Sequence, residues 1–357
     1  MEFRKNARYD LIAPTSMGLR LTPVNRQPVH TSDLFQLQVT SAESNVLNVS
    51  ASLGLNTKVL TTFVKGSPTA AIIKAHLRKR NIAYDGIEVD KGGPWGYRHQ
   101  INIADSGYGL RGPRVDNDRA GEVGRTLNVK DFDLDQLFEK DGVRLIHISG
   151  LIAALSPETG EFCLELVRHA KKHGTKVSFD LNYRETFWKD RKDELRKTFK
   201  EIASLTDVLI GNEEDYQLAL GVKGPEAGGE NIADEIEVFK QLINNVKKEY
   251  PNATMYANTL REVKNANEHL WGATLLDGDK LHIIEPRDIQ VLDRIGGGDG
   301  FVGGLLYSLL QGFESEKCVQ FAWATGALAT TFVEDYGTPV DEEQVWNIWH
   351  GNARVSR

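Results

Sequence analysis

From about residue 143 onward, short apolar runs rich in β-branched residues alternate with amphipathic stretches, and this alternation constrains the fold more than any other feature of the chain. Val143 to Ser149 (VRLIHIS), Thr175 to Leu181 (TKVSFDL) and Thr206 to Ile210 (TDVLI) each read as a buried strand. Helical patterns stand between them. The first opens on Ser156-Pro157-Glu158, a serine N-cap with proline at the first helical position, and stops at His173-Gly174. A second places Phe187, Arg191, Leu195, Phe199 and Ile202 at spacings of three and four, and a third uses Ile232, Ile236, Phe239, Ile243 and Val246. Strand and helix in succession predict βαβ units, hence an α/β fold with a doubly wound, mainly parallel sheet flanked by helices. Two further helical patterns, 299–312 and 315–333, close the chain.

Two stretches break this rhythm with a period of two. In Phe35-Gln36-Leu37-Gln38-Val39-Thr40 and in Tyr97 to Ile103, larger side chains alternate with polar ones, as in sheets covered on one face. With Leu19-Arg20-Leu21-Thr22 they predict a small separate sheet, which needs an active site or another subunit to cover. The segment 221–230 (GVKGPEAGGE) reads as a surface loop.

Composition narrows the function classes. A chain of 357 residues carries a prior of about two domains. Its 43 basic and 50 acidic side chains leave a net charge of −7, which offers no footprint for a polyanion and argues against nucleic acid. A small anionic ligand must therefore be met by individual arginines. Cys163 and Cys318 lie in apolar, helix-period stretches and read as buried thiols, consistent with a reducing cytoplasm. No apolar run approaches the roughly 18 to 20 residues that span a bilayer, and MEFRKNARYD lacks the apolar core of a signal peptide, so a soluble, cytoplasmic protein without a membrane partner is expected.

The strongest chemical signal is Asp293-Arg294-Ile295-Gly296-Gly297-Gly298-Asp299-Gly300-Phe301, between an extended segment and an apolar helix. Three glycines at a helix N-terminus leave backbone N–H groups open to a phosphate or a developing oxyanion. Asp299 beside them is placed to take a proton from an attacking hydroxyl; the alternative is a flexible turn with Asp299 as a helix cap. Gly298, Gly300 and Gly303 also match G-x-G-x-x-G, but a second helical pattern (Val319 to Leu328) follows, so no βαβ dinucleotide unit is completed. Asp180-Leu181-Asn182-Tyr183-Arg184 and Gly211-Asn212-Glu213-Glu214-Asp215 fall at strand ends, where open α/β sheets bind ligands. Arg184 offers a fork for an anion and the acidic run suits hydrated Mg²⁺; a surface salt bridge and a helix-dipole role are the alternatives.

In this order the segments resemble the PfkB, or ribokinase-like, carbohydrate kinases, and most closely their 2-keto-3-deoxygluconate kinases. Asp293 to Asp299 stand where that family has D-T-x-G-A-G-D. Asp180, Asn182 and Arg184 match D-x-N-x-R; Asn212, Glu213 and Glu214 match N-E-E; Asp118, Arg119, Ala120 and Gly121 match D-R-A-G; and Ala42 to Val46 match A-E-x-N-V. The resemblance implies one ribokinase-like domain over 1–357 with a β-lid from about 17–40 and 94–118, which closes over the sugar and pairs subunits in a dimer or larger oligomer. It implies Asp299 as catalytic base and Gly296, Gly297 and Gly298 as the anion hole. Asn45, Thr40, Ser41, Arg119 and Arg184 would hold a sugar acid. Asn182, Asn212, Thr259 and Arg261 would face ATP, and Glu214 and Asp215 would organise Mg²⁺ through water.

Several positions depart from the pattern. Thr40-Ser41 replace Gly-Gly, Thr15-Ser16 replace Gly-Glu, and Asn117 replaces a tyrosine. Asp215 stands where N-x-x-E has its glutamate, and Arg294 replaces a threonine beside the family's monovalent-cation loop, which leaves potassium dependence open. The implied reaction is ATP-dependent phosphorylation of 2-keto-3-deoxygluconate to its 6-phosphate. The alternatives are a kinase for a neutral ketose or hexose and a low-turnover sugar-binding regulator derived from such a kinase.

Overall fold

A computed structural model describes residues 1–224 and 232–354. Thirteen strands are found among them: β1 Tyr9–Pro14, β2 Gly18–Pro23, β3 Phe35–Thr40, β4 Thr57–Val64, β5 Ile82–Val89, β6 Gln100–Asp105, β7 Arg114–Asp118, β8 Val143–Ser149, β9 Lys176–Asp180, β10 Val208–Ile210, β11 Met255–Asn265, β12 Glu268–Asp277 and β13 Lys280–Gln290. Nine form one sheet in the order β13-β12-β11-β10-β9-β8-β1-β4-β5, parallel from β11 to β5 and antiparallel at the β12 and β13 edge. The architecture is the expected doubly wound α/β one.

Burial on both faces explains the unbroken apolar runs. Ile12, Ile146, Leu209 and Tyr256 feed one core layer, under the helices Pro157–Lys172 and Lys192–Ser204. Their strand neighbours Leu11, Leu145, Val208 and Ala257 feed the other, with the helices Ala42–Ser52, Gly297–Leu310 and Ser315–Ala329. Ser156 caps its helix through a capping box and Gly174, at φ +72°, follows its end, as the sequence predicts. Cys163 and Cys318 are free and buried. The helix expected from Phe187 to Ile202 is divided: Glu185–Trp188 is a short separate turn, and Arg191 flanks the start of Lys192–Ser204. Of the segment 221–230, residues 221–224 carry no regular element and 225–230 lie outside the described residues. Among the described residues no helix is long and apolar enough to cross a membrane.

The second sheet has the order β3-β2-β6-β7. Its faces correct the simple reading of its alternation. The polar side chains Arg20, Thr22, Gln38, Thr40 and Gln100 are buried against the body of the protein, while on the apolar face Leu19 and Val39 are buried and Phe35 and Leu37, farther out, are 38% and 39% exposed. The inward face is polar because it meets the loops that carry the candidate chemistry.

Candidate active site

The helix Gly297–Leu310 begins at Gly296, whose φ of +85° favours glycine. A Cβ there would lie 1.9 Å from the Asp335 carbonyl oxygen. The first intrahelical bond runs from Gly300 N–H to the Gly296 carbonyl at 2.8 Å, so the N–H groups of Gly297, Gly298 and Asp299 precede the ladder. Gly298 is exposed, and a Cβ on it would meet nothing within 4 Å. No internal packing requires that glycine, and its bareness leaves room for a ligand. By contrast, a Cβ on Gly300 would meet the Thr325 carbonyl at 2.8 Å, and one on Gly303 the Val46 carbonyl at 2.6 Å. Helix packing therefore accounts for the remainder of the G-x-G-x-x-G match.

Asp299 is half-buried in the first helical turn and accepts a hydrogen bond from Asn45 Nδ2 at 2.9 Å. Burial pushes its carboxyl well above the usual range against that hydrogen bond, and Asp180, Asp335 and Glu43 add to the shift. A raised carboxyl is a stronger proton acceptor once ionised. Asn45 is held in turn: Ser41 caps its helix by accepting Ser44 N–H at 3.1 Å, and Thr40 Oγ1 lies 3.3 Å from Asn45 Nδ2. The Asn45 Oδ1 atom is buried and unpartnered, an acceptor left for a ligand hydroxyl.

Next to Asn45 lies a small, open pocket lined by Ser16, Ser41, Ala42, Glu43, Gln100, Arg119, Leu151, Ile152 and Leu155. The sequence departures meet here. Thr15 Oγ1 lies 2.7 Å from both Ser41 Oγ and Glu43 Oε2, and Ser16 donates to Glu122 Oε1 at 2.6 Å. Burial raises the Glu43 carboxyl, opposed by its hydrogen bonds from Ser149 and Thr15. The Arg119 guanidinium is paired with Glu122 at 2.8 Å and stands over the Phe187 ring at 5.4 Å. Asp118 shapes the same turn by accepting Ala120 N–H at 3.1 Å, and Asn117 is exposed on β7.

The strand ends bring the remaining candidates together unequally. Asn182, at φ +38°, holds a buried, unpartnered Oδ1. Asp180 is pushed up to about 7, by burial first and then by Asp215. Both oxygens of Asp215 accept backbone N–H groups, from Tyr183 and from Asn212, each at 2.9 Å, and Asn212 Oδ1 accepts Asp215 N–H at 2.8 Å. This closed capping box gives Asp215 and the Asn212 side-chain oxygen to the loop rather than to a ligand, and leaves Glu214 as the exposed carboxylate. Among the described residues no group of three or more His, Cys, Asp or Glu could hold a metal directly, so these residues fit only an ion carried on phosphates and water.

Arg184, Arg261 and Arg294 form a cationic cluster in which no guanidinium has an ion-pair partner among the described residues. Arg261 is pushed down to about 10 by lost hydration and by the charges of Arg294 and Arg184. Thr259 and Arg261 lie on one face of β11, with Arg261 opposite Trp271 of β12. Sequence reasoning missed Arg294 as a member of this cluster, and missed Glu43, Asp335 and Arg20, whose side-chain contacts are distant in sequence, and Glu122, which joins the nearby Arg119 to the distant Ser16.

The model of the pfkB family carbohydrate kinases matches residues 27–339. A 5-dehydro-2-deoxygluconokinase of Clostridium perfringens is 29% identical over 211 residues, which take in 59% of this chain and 55% of that protein. The match thus spans about half the length of that relative. The structure of a 2-dehydro-3-deoxygluconokinase from Thermotoga maritima superposes with a TM-score of 0.86 at 29% identity, covering 96% of this chain and all of that one. A ribokinase II of E. coli in complex with ATP and Mg²⁺ shares the fold, with a TM-score of 0.75 at 19% identity over 96% of this chain and 99% of that one. With that family model matched over most of its length, the chain belongs to the pfkB family of carbohydrate kinases.

Proposed function

We propose that this protein transfers the γ-phosphoryl group of ATP to a hydroxyl of a sugar acid, with 2-keto-3-deoxygluconate, giving its 6-phosphate, as the leading acceptor. The observation that carries the reading is Asp299, held by Asn45 in the first turn of the helix that opens on the bare glycine turn. Asp299 takes the proton of the acceptor hydroxyl, and the N–H groups of Gly297 and Gly298 meet charge on the transferring phosphoryl. Arg261 and Arg294 suit the nucleotide phosphates, Arg184 and Arg119 the sugar carboxylate. Mg²⁺ bound with ATP would neutralise phosphate charge, with Glu214 ordering its waters. The names of the two gluconokinase relatives support a sugar acid, and the E. coli neighbour supports ATP and Mg²⁺. The Arg119–Glu122 pair supports a second reading, a neutral ketose or hexose, because it lowers the charge available in the pocket.

ADP release measured over sugar acids, ketoses and hexoses tests both. The Asp299→Asn variant should lose about 10² to 10⁴-fold in kcat, and retention of more than about a tenth of wild-type turnover would remove Asp299 as base. Since its carboxyl is raised, wild-type activity should fall as pH drops from neutral, with a midpoint well above the usual carboxylate value of about 4. An Arg184→Ala variant that binds its sugar unchanged would favour the neutral acceptor.

A further inference from the structure

Arg20 sits in the middle of β2 and is 1% exposed. A guanidinium at that depth is tenable only when paired and hydrogen-bonded. Its two Nη atoms reach two carboxylates on the far side of the inter-sheet boundary, Asp293 Oδ2 and Asp335 Oδ1. Both acids frame the anion hole. Asp293 opens the glycine turn and accepts Ile295 N–H at 3.0 Å. Asp335 backs Gly296 with its carbonyl, and its Oδ2 accepts the Thr40 hydroxyl at 2.6 Å. From Thr40 the chain of contacts continues through Asn45 to Asp299. One guanidinium therefore ties a strand of the small sheet to both backbone segments that shape the first turn of the catalytic helix.

Without a cation between them, Asp293 and Asp335 would face each other buried, and burial already raises the Asp293 carboxyl against the pull of Arg20. The planar fork of arginine bridges two carboxylates at fixed spacing. We propose that Arg20 is a positioning residue for phosphoryl transfer, a cation built into the small sheet that holds the anion-hole turn in register and makes an alkali-metal ion unnecessary there. The inference rests on the kinase reading for its catalytic consequence. It does not rest on that reading for the charge balance of the site.

The test uses the full-length protein. Wild-type turnover in a buffer whose only monovalent cation is tetramethylammonium should stay within about twofold of that with KCl, well short of a tenfold change. In Arg20→Met, kcat should fall by about 10²-fold, as when one oxyanion donor is lost, with the KM values for ATP and sugar little changed. Added K⁺ or guanidinium ion should restore part of that activity, and should raise the melting temperature of the variant while leaving that of the wild type unmoved. Arg20→Lys, which keeps the charge but loses the fork, should fall between the wild type and Arg20→Met in kcat and should not respond to added K⁺. An alkali-metal requirement in the wild type, or a Met variant indifferent to added cations in both readouts, overturns the assignment. Should the Met variant fail to fold, the wild-type cation series and the Lys variant decide. If the wild type phosphorylated no sugar, the kinase reading would fall while the melting shifts still judged the resident cation.

Discussion

The two sheets of this molecule obey opposite rules. In the nine-stranded sheet, hydrophobicity and burial coincide, with successive residues of β8 and β10 feeding core layers on opposite faces. In the four-stranded sheet polar side chains fill the buried positions, with Gln38 at 2% and Thr40 at 3% exposure, while Phe35 and Leu37 at the outer end of the apolar face are exposed and Leu19 and Val39 at its inner end are covered. Period-two alternation identifies which residues share a face but not which face turns inward. What turns it is the partner. Helices offer apolar stripes, whereas the glycine turn and the segment behind it offer carboxylates and carbonyls that must be hydrogen-bonded when buried. One sheet therefore supports the fold, and the other completes the site.

The largest effect that sharpens this division is a loss of fold without a loss of chemistry. Phe179 in β9 is fully buried, its ring edge-on to Phe199 at a centroid distance of 5.3 Å. Phe179→Ala should cost about 3 to 5 kcal/mol in denaturant unfolding, while the fraction that remains folded keeps wild-type kcat. A fall in kcat per folded molecule would break the division.

Much of the fold was legible in the sequence because its signals are local. Caps, helix-stopping glycine and β-branched runs act over a few residues, so β8, β9, β10 and the helix Pro157–Lys172 stand where the pattern puts them. The glycine triplet and Asp299 were legible for the same reason. Legibility ended where a residue's role depends on a distant partner. Arg20 meets Asp293 and Asp335 across 273 and 315 residues of chain, and nothing in Leu-Arg-Leu marks an inward arginine. Asp215 read as a metal carboxylate until the turn brought the Tyr183 N–H against it. The antiparallel β11–β12–β13 edge is harder to read, because β13 and the distal half of β11 are half-exposed and mix charged with apolar residues. Thr15 and Ser41 were legible as separate departures, but their contact at 2.7 Å was not.

A smaller effect probes the inward face of the small sheet. Thr40→Val keeps the shape of the side chain and removes the hydroxyl that donates to Asp335 and lies 3.3 Å from Asn45 Nδ2. Deleting one such bond costs about 1 kcal/mol or somewhat more when an acceptor is stranded, so the melting temperature should move little. Because Asn45 also orients Asp299, kcat should fall by about tenfold with sugar KM less affected. A change confined to KM would mean that Thr40 contacts the sugar instead of holding the base. A loss confined to stability would remove the small sheet from the machinery.

The smallest expected effect on the folded monomer lies on the outward face. Phe35 and Leu37 share that face with Ile101 and Ile103, since β3 pairs Leu37 with Leu21 of β2, and Leu21 in turn with Ile103 of β6. The family resemblance implies a second copy of the chain over this face, and such a partner would complete the small sheet as helices complete the large one. Leu37→Asn exposes no cavity and strands no buried group, so monomer stability should change by no more than about 0.5 kcal/mol. If the face pairs subunits, light scattering should record a shift toward monomer, because a polar amide at a packed centre must be desolvated without a partner. Unchanged mass with unchanged activity would mean that the apolar face is bare in solution, and that the inversion between the two sheets serves the active site alone.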